Sequence, residues 1–175
     1  MAEPEQREGF LVANRNLVER YESLDAGQRA EVRVDLGFLP APISVGEAGR
    51  LRLSEFSLHA WDVRPDGEIA PAAVPLLLDG FTQMLAWIAK PDTLAGKQAE
   101  LLVTLTDPAT TYGLTLGDKV ALGDAPANPD GELRAPAAAW LRLLTGRLAP
   151  ERTPASVTVT GPVTLDDLRK VFPGL

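Results

Sequence analysis

The sequence contains no cysteine. Disulfides, thiolate metal ligands and a cysteine nucleophile are therefore excluded, and any thiol chemistry requires a thiol brought in from outside the chain. Histidine is almost as scarce. His59 is the only one, which excludes a metal site built from several imidazoles of a single chain. Positive charge is also short: 17 Lys and Arg stand against 24 Asp and Glu, for a net charge of -7 and a pI near 4.8. Without a concentration of cations, neither nucleic acid nor an anionic membrane surface is an expected partner. No run of about eighteen apolar residues is present to span a bilayer. The opening Met1-Ala2-Glu3-Pro4-Glu5-Gln6-Arg7-Glu8 is acidic and polar, unlike a signal peptide, so cytoplasmic residence is expected.

What is present is ample apolar material. With 45% hydrophobic residues in 175, the chain can form one ordinary core or two small ones. The stretch with most chemical content is Leu51-Arg52-Leu53-Ser54-Glu55-Phe56-Ser57-Leu58-His59-Ala60-Trp61-Asp62-Val63. Read as a helix, it stacks Glu55, His59 and Asp62 at i, i+4 and i+7 within a narrow arc. Leu51, Leu58, Phe56 and Val63 flank that polar seam, so partial burial is expected. A half-buried carboxylate and imidazole need a partner. One solution is a divalent cation, which Glu55 and His59 can reach together with bonds of about 2 Å, while Asp62 orients the imidazole or holds a water. The other is a plain i, i+4 ion pair contributing ~0.2–0.5 kcal/mol.

Along the chain, Phe10, Ala13, Leu17 and Tyr21 recur at helical spacing and predict a helix from Gly9 to Leu24 with those residues inward, stopped at Asp25-Ala26-Gly27. Gly27 to Val45 reads as irregular, with Pro40 and Pro42 forcing extension and Phe38 and Leu39 tucked beneath the helices. Ser44 with Glu47 three residues later forms a capping-box pattern that starts the key helix and lets it run to about Val63. Arg64-Pro65-Asp66-Gly67 is a turn. A further helix is expected from Pro71 or Ala72 through Trp87-Ile88, apolar on most faces and packed inside a bundle. After Gly96 the period changes from 3.6 to 2, which predicts strands at Glu100 to Thr106, Thr110 to Leu116, Lys119 to Gly123 and Gly131 to Ala135. A helix from Pro136 to Leu148, stopped by Gly146 or just beyond, a short strand from Ser156 to Thr160 and a capped helix from Thr164 to Phe172 complete the series.

Two of these stretches resemble a known family. Leu53-Ser54-Glu55-Phe56-Ser57-Leu58-His59-Ala60-Trp61-Asp62-Val63 resembles the E-x-x-x-H-x-W-D motif of the mycothiol-dependent maleylpyruvate isomerase family. Trp140-Leu141-Arg142-Leu143-Leu144-Thr145-Gly146-Arg147-Leu148, then Val157-Thr158-Val159-Thr160-Gly161 and Leu168-Arg169-Lys170-Val171-Phe172-Pro173-Gly174, are similar to that family's smaller domain. The resemblance implies an α+β protein: a partial DinB-like helical bundle over residues 1–91, then a small α/β sterol-carrier-like domain over residues 97–175.

It also implies a metal-dependent, mycothiol-using isomerase or thiol transferase acting on a small-molecule substrate. Glu55 and His59 would be ligands to a divalent metal, usually zinc, joined in the family by a histidine from an earlier helix. Mycothiol would be the thiol cosubstrate, in keeping with the lack of cysteine. Arg147 is expected to position the anionic substrate, with Arg134 as the competing choice, and Trp61 and Trp140 are expected to pack. The chain departs from the family in having no second histidine. A start placed too late, a shortened protein that has lost the metal, and a ligand supplied by a partner chain are the three readings of that departure. The alternative function is a non-catalytic small-molecule-binding protein whose bundle remnant makes a homodimer.

Overall fold

The computed structural model describes residues 3–174. They form a mixed α+β protein with two compact units, residues 1–52 and 53–175.

The first unit is built from local signals. Helix α1 (Glu3–Glu22) is amphipathic by spacing, but among its described side chains only Asn14, Leu17 and Tyr21 reach partial burial, and Phe10 is 48% exposed. Phe10 and Ala13, expected inward, are both exposed. Asp25, expected to mark a stop, also begins α2 (Ala26–Glu31): its carboxylate accepts from the Gln28 amide, and the Gln28 side chain accepts from the Asp25 amide. Two short antiparallel strands, β1 (Arg33–Val34) and β2 (Ile43–Ser44), pair across what reads as irregular sequence. Phe38 lies in the intervening loop at 72% exposure, so it is not tucked under a helix, whereas Leu39 is half-buried.

Helix α3 (Val45–Val63) starts where the capping box places it. The Ser44 amide and hydroxyl donate to Glu47 Oε2, each at 2.7 Å, and the Glu47 amide donates back to Ser44 Oγ at 3.1 Å. These bonds hold the Glu47 carboxyl below the usual carboxylate range.

The second unit holds the core. Helix α4 (Ala73–Ile88) buries Val74, Leu77, Phe81, Leu85 and Ile88 on one face. Leu76 and Trp87 on its far side and Met84 at its flank are 49%, 81% and 37% exposed, so the helix is amphipathic rather than enclosed. A five-stranded sheet follows, in the order β5-β4-β3-β6-β7, with strands β3 (Ala99–Thr106), β4 (Thr110–Leu116), β5 (Ala121–Gly123), β6 (Gly131–Pro136) and β7 (Thr158–Val159). The sheet is mixed: β3 pairs antiparallel with β4 and parallel with β6. Ala99, Leu101, Val103 and Leu105 alternate inward along β3, as a half-buried strand requires. Helix α5 (Ala137–Leu144) covers the sheet with Ala139, Trp140, Leu143 and Leu144, and α6 (Leu165–Val171) closes the core with Leu168 and Val171.

The change of period after Gly96 is present in the secondary structure, yet the compact unit reaches back to Leu53, because α4 and the sheet share one core. The helix predicted over Pro136 to Leu148 ends earlier. Gly146 takes a left-handed φ of 69°, its amide donates to the Leu143 carbonyl, and the Arg147 amide donates to the Arg142 carbonyl at 2.7 Å. This pair of bonds satisfies two terminal carbonyls of α5. A side chain at Gly146 would also run into the Pro173 carbonyl oxygen, so the turn has two reasons to be glycine.

Candidate functional site

The buried face of α3 within the second unit is formed by Ser57, Leu58 and Trp61. At 100° per residue the polar seam must then lie on the other side. Glu55, His59 and Asp62 are accordingly exposed, with side-chain exposures of 60%, 67% and 44%. The expected partial burial of the seam is not found. Its flanks explain the difference: Leu58 points into the core, but Val63, at the end of the helix, is 80% exposed.

The imidazole is nonetheless engaged at both nitrogens. His59 Nε2 lies 3.3 Å from Glu55 Oε2, and Nδ1 lies 3.0 Å from Asp62 Oδ2. Asp62 in turn accepts two hydrogen bonds from Arg147, Nε to Oδ1 and the second terminal nitrogen to Oδ2, both at 2.8 Å. Such a two-point contact fixes both planes. Arg147 is the least exposed member, at 17%, and donates a third bond to the Thr145 carbonyl at 2.9 Å. The Arg147 bonds, followed by that from His59, hold the Asp62 carboxyl at about 2.

The four residues therefore form one chain of contacts, Glu55 to His59 to Asp62 to Arg147. Glu55, His59 and Asp62 were placed together by helical spacing; Arg147 joins them from the turn after α5, 85 residues beyond Asp62. Arg134, the alternative cation, lies apart on β6, paired with Glu132 at 2.9 Å. A guanidinium has five N–H groups, and the three used by Arg147 leave two for an anionic ligand.

The donor set fits a cation in part. Two ligands on adjacent corners of a tetrahedron, with bonds of about 2.0–2.1 Å, lie roughly 3.3 Å apart. Glu55 Oε2 and His59 Nε2 have that separation. Asp62 sits on the other ring nitrogen, the position from which a carboxylate orients a ligating imidazole. It does not turn toward the same point, and among the described residues no group of three or more His, Cys, Asp or Glu converges as a metal cage. The pair is therefore an exposed i, i+4 contact with the spacing of two ligands and no third donor beside it among the described residues.

A second feature lies on the core side of α3. Trp61 is buried at 3% exposure and its indole N–H donates to the Gly67 carbonyl at 2.9 Å. Arg142 lies over the Trp61 ring, 4.2 Å from its centroid, and donates to the carbonyls of Pro65 and Gly67. Together with Ile69, Val74 and Ala139 they line an open groove of about 520 Å³. Burial pulls the Arg142 guanidinium below its ordinary value. The groove escaped the sequence reading because its walls come from segments 70 to 80 residues apart; only the packing role of Trp61 was legible. Trp140 packs as expected, fully buried against Phe172 in an edge-on contact at 5.9 Å.

No helix is long and apolar enough to cross a membrane among the described residues. No protein-family model matches the chain, and no curated protein matches its sequence.

Proposed function

We propose that the chain is a metal-dependent, thiol-using isomerase or thiol transferase of the maleylpyruvate isomerase kind, with part of a DinB-like bundle before a sterol-carrier-like domain. The observation that carries this reading is the 3.3 Å separation of Glu55 Oε2 and His59 Nε2, beside an arginine held by the same histidine's other partner. A divalent cation, probed first as zinc, would supply a lowered thiol pKa, so that an external thiol such as mycothiol reacts as thiolate near neutral pH.

The chain's own residues divide the remaining work. Glu55 and His59 would hold the cation. Asp62 fixes the imidazole by its Nδ1–H, and Arg147 uses its two remaining N–H groups to bind a substrate carboxylate. A thiolate adding to the electrophilic carbon of a cis unsaturated oxo acid forms the S–C bond and moves the double-bond electrons onto the carbonyl oxygen. Rotation about the resulting single bond and return of those electrons expel the thiolate and leave the trans isomer. The thiol is recovered unchanged.

Zinc binding by equilibrium dialysis and isomerisation followed by ultraviolet absorbance, with mycothiol and maleylpyruvate, test the proposal. Metal should be retained by the parent protein and lost in Glu55→Ala and His59→Ala, with activity lost alongside it. Arg147→Gln should raise KM for an anionic substrate at least tenfold while metal stays bound. A stable protein that binds no zinc and shows no turnover would overturn the reading. The second reading, a non-catalytic binder of a small apolar molecule, is favoured by the Trp61 and Arg142 groove, whose volume lies in the range of ligand pockets.

A further inference from the structure

We propose that the groove beside Trp61 binds a small monocarboxylic acid with an apolar body, its carboxylate on Arg142 and its body along Ile69, Val74 and Ala139. This deepens the second reading above, that of a binding protein, by naming the class of ligand, and it is independent of Glu55 and His59. The observation behind it is a fixed guanidinium on the wall of a largely apolar groove, with no carboxylate paired to it among the described residues.

Arg142 is half-buried on α5, and its surroundings hold its plane. The Trp61 ring lies 4.2 Å from the guanidinium carbon, and the two terminal nitrogens donate to the Pro65 carbonyl at 2.5 Å and the Gly67 carbonyl at 2.8 Å. Both acceptors are neutral. A guanidinium has five N–H groups, so three remain, and a carboxylate takes two of them. A cation drawn partly out of water gains more from a counterion than an exposed one does. A planar donor already fixed in place also loses little freedom on pairing.

The charged neighbours do not supply that counterion. Arg152 donates to Asp66 at 3.2 Å and to Glu151 at 3.3 Å, so both carboxylates are engaged with it. Burial is the main influence on Arg142, and the charged groups that act on it, Asp66 and Arg152, do so in opposite senses. Asp66 is 88% exposed, so water screens its pull. Glu68 and Asp107, which also line the groove, are exposed. Four carboxylates around the opening disfavour a second negative charge on the ligand, which leaves one anionic end and an apolar remainder.

Isothermal titration of the full chain in EDTA with phenylpropionate, phenylpropanol and phenylpropylamine tests this, since the three probes share a body and differ in charge. The acid should bind at least about tenfold tighter than the alcohol, as a charge-assisted hydrogen bond requires, and the amine most weakly. Arg142→Gln should bring the acid down to the affinity of the alcohol and leave the alcohol unchanged, which an unfolded groove would not do. Ala138→Leu, at a partly buried position lining the groove, keeps Arg142 and should weaken acid and alcohol together. Equal affinity for acid and alcohol, or a preference for the amine, would overturn this inference and leave the binding reading standing. Acid binding unchanged in Ala138→Leu would place the site elsewhere and overturn it too. No binding of any probe would overturn both.

Discussion

Residues 53–175 and residues 1–52 are ordered by different means. In the larger unit, Leu101, Val103, Leu114, Leu133, Trp140, Leu144 and Phe172 are all fully enclosed. Among the described residues of the smaller one, only Ser44, Val45 and Ala48 are buried. The first is held by packing. The second is held by caps and short hydrogen bonds, among them the Asp25–Gln28 and Ser44–Glu47 pairs and the two-residue ladder of β1 and β2. Isolated helices gain little from propensity alone, so a segment with this little burial should open far more often than the sheet.

The contrast can be broken most directly in the core. Leu101→Ala removes a side chain with no exposure on the central strand and should cost about 2–5 kcal/mol in denaturant unfolding. A loss below ~1 kcal/mol would mean that the sheet does not carry the fold. Ser44→Ala acts on the other regime. It removes the acceptor for the Glu47 amide, with an expected cost of about 0.5–2 kcal/mol. Hydrogen exchange should speed up at the start of α3 while the amides of β3 and β6 keep their protection.

Acid sharpens the comparison at the site itself. The Asp62 carboxyl lies at about 2, below its ordinary 3.8, because of Arg147 and then His59. A carboxyl depressed on folding contributes fully above its unfolded value and loses that contribution as pH falls through the folded one. The Asp62 contacts should therefore be intact above about pH 4 and lost towards pH 2. Asp62→Asn should flatten that limb of the stability curve and leave a remainder from Asp167, also held at about 2 by Lys97 and the Thr164 amide. The smallest effect belongs to the exposed face of α4: Trp87→Ala, at 81% exposure, should change monomer stability by less than about 0.5 kcal/mol.

Much of this architecture can be read from the residues. Ser44 and Glu47, Thr164 and Asp167, and Gly146 announce helix ends because capping involves neighbours a few residues apart. Strand β3 declares itself by alternation for the same reason. The exposure of the seam does not, since the pattern that marks Leu58 and Trp61 as inward says nothing about what covers the opposite side. Phe38 and Trp87 mislead similarly: apolar character predicts a preference for burial, and a neighbour must exist to provide it.

By itself, the sequence determined most of the helix and strand segments, though not α2 or the β1–β2 pair, and the alignment of Glu55, His59 and Asp62, because each depends on spacings within one element. Only the tertiary structure decided that Arg147 closes on Asp62 from 85 residues away, that α4 shares a core with the sheet, and that the seam faces outward. Those outcomes depend on which surfaces meet, and contact between distant segments is set by packing the whole chain at once.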